Sequence, residues 1–225
     1  KVLELSGFEH KMTHVGYGLV NLPDGKMSSR AGNVILYETL RDEIYERMLS
    51  EVGSRHEDWS REKIASQAWV LAQAVLKFTM QKHEAAKNVT FHMEEAVSFD
   101  GYSAPYILYT LSRTYSISRK AAEAGITDTL PEDALFGADE EKALALLLGE
   151  YEAVLAKARS VYNPSPLCVY AYDLSKAFTA FYGACHIVDS DHLAQSSARL
   201  ALTVATRMVL EDVLGVLSIE VVKEM

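Results

Sequence analysis

Apolar positions along most of this chain recur at helical spacing. Val34, Ile35, Leu40, Ile44, Met48 and Val52 fall roughly on one stripe, and Gly53 marks a stop. Ser60 offers an N-cap for a second helix through Ile64, Trp69, Val70, Ala72, Val75, Leu76 and Phe78. That helix is apolar almost all round, which predicts burial on more than one side. Residues 86–99 are less regular, and Asn88-Val89-Thr90-Phe91 reads as a short extended piece. Asp100-Gly101-Tyr102-Ser103-Ala104-Pro105 is a turn and a helix start with proline in the first turn; this helix runs to about Glu123, where Gly125 ends it. A polar connector covers residues 125–138. Further helices are expected at about 139–160, 166–187 and 190–214, separated by Asn163-Pro164-Ser165-Pro166 and by Asp189-Ser190-Asp191, with Gly215 ending the last.

Short links between these helices predict an antiparallel bundle. The first residues read as the end of a helix, then Gly7, then a strand near Thr13–Leu22. One strand cannot bury its own faces, and a nucleotide-binding sheet needs several βα units before it. The expected fold class is therefore mainly α: a helix bundle preceded by the end of an α/β domain. The chain is expected to be a C-terminal fragment of something longer.

Composition narrows this picture only in part. With 225 residues, 49% hydrophobic and 24% charged, the chain has ordinary globular values. It shows no apolar run of membrane-spanning length and no signal-peptide pattern. Two cysteines, Cys168 and Cys185, exclude a disulfide scaffold and are expected to be reduced. A cytoplasmic location is the expectation. The net charge of −9 argues against a broadly basic surface, so any RNA contact requires a local cationic patch. Candidates are Arg113, Arg119 and Lys120 on one helix, with Arg199 and Arg207 on another.

The densest chemistry lies in residues 24–33, Asp-Gly-Lys-Met-Ser-Ser-Arg-Ala-Gly-Asn. Two cations, two hydroxyls and two glycines share one loop between a predicted strand and a predicted helix. Backbone N–H groups and a helix N-terminus favour an anion, and lysine adds a point charge, so the loop suits a polyphosphate. A solvated surface loop of the same composition is the plainer alternative. Neither G-x-x-x-x-G-K-[ST] nor G-x-G-x-x-G is present.

Lys26-Met27-Ser28-Ser29-Arg30 resembles the KMSK signature loop of class I aminoacyl-tRNA synthetases, and Gly18 to Val34 resembles the version in arginyl-tRNA synthetases. Ser29 replaces the second lysine of the signature, with Arg30 the next cation. The string from Asp100 to Arg113 is similar to the E-G-N-T-A-P-Y-L-Q-Y-A-H-A-R segment of that family, with Leu108 and Leu111 replacing its glutamine and histidine. Phe181-Tyr182-Gly183-Ala184-Cys185-His186-Ile187-Val188 is similar to its F-Y-x-x-C-x-V segment. Ser197-Ala198-Arg199-Leu200 is close to the D-A-L-R tetrad of the anticodon-binding bundle.

The resemblance covers essentially the whole chain. It implies the end of a catalytic domain over residues 1–58 and an all-α anticodon-binding domain over 59–225. The implied activity is ATP-dependent joining of arginine to tRNA-Arg, with ATP and Mg2+ as cofactors and tRNA-Arg, L-arginine and ATP as partners. No membrane partner and a monomeric state are expected. Lys26 and Arg30 are the implied catalytic cations, and Lys26, Met27, Ser28 and Ser29 the implied ATP contacts. The H-I-G-H-like signature and the arginine pocket are not in these residues, so residues 1–225 alone are expected to be inactive. A non-catalytic RNA-binding or scaffolding bundle of synthetase ancestry is the alternative; Lys26 has no use in such a module. A cysteine-specific synthetase is disfavoured by Ala104-Pro105-Tyr106 and the Met225 ending.

Within the bundle, Tyr182 and His186 are four positions apart, which on a helix is one face. They suit stacking on an unpaired base, or packing with polar tips outward. Tyr106 and Tyr109 raise the same choice, with packing favoured beside Pro105. Arg113 suits a tRNA phosphate or a carboxylate. Together with Arg199, these six residues form the candidate tRNA-binding set. No metal set is complete: His10 and His14 lack further ligands, and His186, Asp189 and His192 are only loosely spaced. No nucleophile elbow is present. The acidic run Asp139-Glu140-Glu141 reads as a helix-dipole complement.

Overall fold

A computed structural model describes residues 2–8, 10, 12–21, 23, 36–130 and 136–225. The loop carrying Lys26, Met27, Ser28, Ser29 and Arg30 lies outside the described residues, as do Val34 and Ile35. The order of elements is α1 (Val2–Leu5), β1 (Val20–Asn21), α2 (Tyr37–Arg55), α3 (Arg61–Gln81), β2 (Val89–Thr90), α4 (Met93–Ala96), α5 (Ala104–Glu123), α6 (Asp139–Gly149), α7 (Tyr151–Ser160), α8 (Ser165–Ala184) and α9 (Leu193–Val216). The fold is mainly α, as the spacing predicts.

The helix starts follow local chemistry. Ser60 Oγ accepts from the Lys63 N–H at 3.2 Å, and Ser103 Oγ accepts from that of Tyr106, with Pro105 in the first turn of α5. The stripe on α2 buries Ile44, Met48 and Val52 against α3, whose own buried residues spread over several faces. Helix α5 packs on α3, α8 and α9, while α6 and α7 pack on α8. Phe78, Phe178, Phe181, Leu108 and Leu111 belong to one continuous core. Leu108 and Leu111 are fully buried, so the glutamine and histidine they replace would face oil here.

Four expectations need correction. The helix over 139–160 is two helices, broken at Gly149-Glu150; glycine at this point weakens the helix, and Tyr151 restarts the chain against Tyr170. Gly215 does not end the last helix. The stop is Leu217-Ser218, where Ser218 takes φ 57° and the Ile219 N–H donates to the Leu214 carbonyl, so that Leu217 and Ile219 both reach the core. Among the described residues, the strand expected near Thr13–Leu22 pairs only at Val20–Asn21, in parallel register with Val89–Thr90. Finally, α8 ends at Ala184, so His186 does not share a helix face with Tyr182.

The chain end lies along α3. Lys77 Nζ donates to the Ser218 carbonyl, Gln81 Nε2 to that of Leu217 at 2.9 Å and Gln67 Nε2 to that of Glu224 at 2.9 Å, while Lys63 pairs with the Glu224 carboxylate at 2.7 Å. Near the other end, Gly18 runs so close to residues 87–88 that a Cβ there would sit 2.2 Å from the Lys87 carbonyl oxygen. Its N–H donates to the Ala85 carbonyl, and the Asn88 side chain accepts from the Leu19 N–H. Gly18→Ala is expected to cost about 1–3 kcal/mol as an overpacked contact. Limited proteolysis should then cut near residue 18 faster, with helical circular dichroism unchanged.

Candidate nucleic-acid interface

A cavity of about 640 Å³ opens between α5 and the end of α8. Arg113, Ser116, Ile117 and Lys120 form one wall; Tyr182 and residues 183–188 form the other. Among the described residues no carboxylate lines the cavity, although the chain as a whole carries a charge of −9. Arg113 and Lys120 are seven apart, two turns along one face of α5.

Arg113 contacts two phenol rings. Its guanidinium carbon lies 4.9 Å from the Tyr109 ring centroid and 5.0 Å from that of Tyr182. This double cation–π contact fixes the cation's direction while leaving it half-exposed. Tyr182 is 43% exposed at the cavity mouth. Beyond it the backbone becomes extended at Cys185, and burial alternates: Cys185 inward, His186 outward, Ile187 inward. His186 thus faces solvent on the same wall by strand-like alternation instead of helical spacing.

The other candidate residues lie deeper. Tyr106 is half-buried, its ring beside Tyr172 and its hydroxyl 3.3 Å from Thr179 Oγ1, away from the cavity-lining set. Arg199 is 14% exposed, with Nε donating to Glu141 Oε1 at 2.6 Å and Nη1 to the His186 carbonyl at 2.8 Å. Of the other cations, Arg207 leans over the Tyr115 ring and donates to Ser118 Oγ, and Arg119 donates to Ser116 Oγ.

Spacing missed Glu141. Only 1% exposed, it accepts from Arg199 and, through Oε2, from the Ala138 N–H at 2.9 Å. This is the reciprocal half of a capping box; alanine at the cap position supplies no side-chain acceptor, which removes the usual sequence signature. Burial pushes the Glu141 pKa up, but the Arg199 bond and the backbone N–H bonds of Ala138 and Gly137 outweigh it and hold the group below its ordinary range. His192 and Asp189 form a 2.9 Å pair within one turn, and among the described residues no group of three or more metal-ligating side chains converges. Both cysteines are free and buried, and burial lifts the Cys168 thiol to about 12.

A helix bundle in which α5 and the end of α8 frame a cation-lined groove has counterparts among known proteins. Residues 107–225 match the model of the DALR anticodon binding domain, and the chain belongs to that family. Over 231 aligned positions it is 35% identical to an arginine–tRNA ligase of Phocaeicola vulgatus, spanning 100% of this chain and 38% of that protein. It is 36% identical over 221 positions to the arginine–tRNA ligase of Maricaulis maris, spanning 96% of this chain and 37% of that one. The arginyl-tRNA synthetase of Thermus thermophilus superposes with a TM-score of 0.82 at 26% identity, covering 99% of this chain and 38% of that structure. The chain therefore spans about 38% of the length of these relatives. Among the described residues, no helix is long and apolar enough to cross a membrane.

Proposed function

We propose that this chain is the tRNA-binding part of an arginine–tRNA ligase, with the groove between α5 and residues 182–188 receiving unpaired anticodon nucleotides of tRNA-Arg. The observation that carries the reading is Arg113, in contact with the Tyr109 and Tyr182 rings on a wall with no carboxylate among the described residues. Exposed aromatic faces stack on splayed bases, and an oriented guanidinium meets phosphate or a base edge. Lys120 adds charge along the same face, and His186 offers a ring at the far side. Tyr109 serves through Arg113, and Tyr106 through packing.

Residues 1–58 are proposed to complete the catalytic domain, with 59–225 as the anticodon domain. Lys26, Met27, Ser28 and Ser29 would contact ATP, which with Mg2+ supplies the adenylyl group and the departing pyrophosphate. Lys26 and Arg30 would hold the phosphates through the 24–33 loop, and L-arginine would bind outside this chain. A cytoplasmic monomer is the expected setting.

Filter binding of the chain to several transfer RNAs tests the reading. A preference for the arginine acceptor, falling steeply with salt, is expected; equal retention of all of them refutes it. Tyr182→Ala should weaken binding by about 1–3 kcal/mol, the scale of one lost stack. Its melting temperature should barely move, because the ring is so exposed. A drop in melting temperature with affinity intact would assign Tyr182 to packing.

A further inference from the structure

We infer that Glu141 and Arg199 are a positioning pair that fixes the 185–188 wall of the groove, Arg199 serving RNA through His186 and not by touching phosphate. The inference rests on the proposed reading of the groove as a nucleotide site. Residues 185–188 belong to no helix or strand, yet they form most of the wall that faces α5. Helix α9 ties this segment at His186 and, directly after it, at Asp189. Arg199 Nη1 donates to the His186 carbonyl, while Ser196 Oγ both accepts from the Asp189 N–H and donates to the Asp189 carbonyl, each at 2.9 Å. Ser196 and Arg199 are three apart, on one face of α9.

The guanidinium in turn has its direction set by Glu141, which α6 delivers from the opposite side. A planar fork bridging a carboxylate and a carbonyl defines both angle and distance, which a lysine ammonium on a flexible stem cannot do. Stability alone does not account for the arrangement. Buried ion pairs are costly to desolvate, and well-packed apolar residues often replace them without loss. What the pair adds is a fixed place for the His186 backbone, and through it for the exposed ring.

The test uses two transcripts: the arginine acceptor, and the same RNA with its anticodon triplet replaced. The ratio of their affinities for the chain is the readout. Arg199→Lys is expected to stay folded, to leave binding of the replaced-anticodon RNA unchanged, and to lower the ratio about tenfold, equivalent to about 1.4 kcal/mol. Ser196→Ala, which frees the Asp189 end of the same segment, should lower the ratio in the same direction, and it decides the matter if Arg199→Lys fails to fold. A wild-type ratio in the folded variants overturns the positioning role. So does an equal loss for both RNAs that tracks the fall in melting temperature. A wild-type chain that does not discriminate between the transcripts refutes the groove reading itself, and with it this inference.

Discussion

Lys26→Ala, made in the intact ligase, should slow arginine-dependent ATP–pyrophosphate exchange by roughly two to three orders of magnitude, the scale for removing one preorganised electrostatic group. In the proposed reaction, negative charge would grow on the bridging oxygen and the departing pyrophosphate as the carboxylate of arginine attacks the α-phosphorus. A cation positioned there stabilises the transition state more than the ground state, so the loss falls on the rate. Asp24-Gly25 supplies turn chemistry directly before the lysine, and Gly32 stands shortly after it. Arg30→Ala is expected to have the smaller effect, because Ser29 displaces that cation by one place from the usual signature. The bundle's affinity for tRNA should be unchanged by Lys26→Ala, since the proposed nucleotide contacts lie on residues 113–120 and 182–188. An unaltered exchange rate would remove the loop from the mechanism.

Helix starts and stripes were legible in the sequence because their causes are local. Ser60 and Ser103 cap the helices they precede, and the Ile44–Met48–Val52 stripe is the buried face of α2. Two of the family-like strings meet in space: the Asp100–Arg113 segment contributes Arg113 to one wall of the groove, and the Phe181–Val188 segment contributes residues 182–188 to the other. Long-range choices were less legible. The Cys185-His186-Ile187 alternation is present in the sequence, but at three residues it is too short to outvote the helical pattern before it. Gly215 looks like a stop, yet a Cβ there would meet open space, and burial of Leu217 and Ile219 moves the turn downstream. Of the predicted strand, the described residues pair over Val20–Asn21 alone, because the partner is itself the short piece at Val89–Thr90. Arg199 is the instructive case. Spacing offered it as a surface cation; the fold turns it inward because an acid 58 positions away, in a run that reads as a dipole complement, is buried beside it.

That acid gives the largest expected effect on stability. Glu141→Ala should destabilise the chain by about 3 kcal/mol, the lower end of the range for leaving one member of a buried ion pair without its partner. The lower end applies because Arg199 keeps 14% of its side chain exposed and water can reach part of the lost site. Two further losses follow from the same atom set: the Ala138 N–H at the start of α6 gives up its acceptor, and the guanidinium loses the restraint that aims it at the His186 carbonyl. For a chain of this size the melting temperature should fall by roughly 6–12 °C. Acid provides an independent check. Because the folded carboxyl titrates below its ordinary value of 4.5, its contribution is fully present above that pH and disappears as pH falls through the lower folded value. The wild type and Glu141→Ala should therefore differ most near neutrality, and the gap should narrow in strong acid to what the methylenes contribute. A difference that stays constant down to the acid transition would mean that the carboxylate's charge contributes nothing, leaving only the packing of its methylenes.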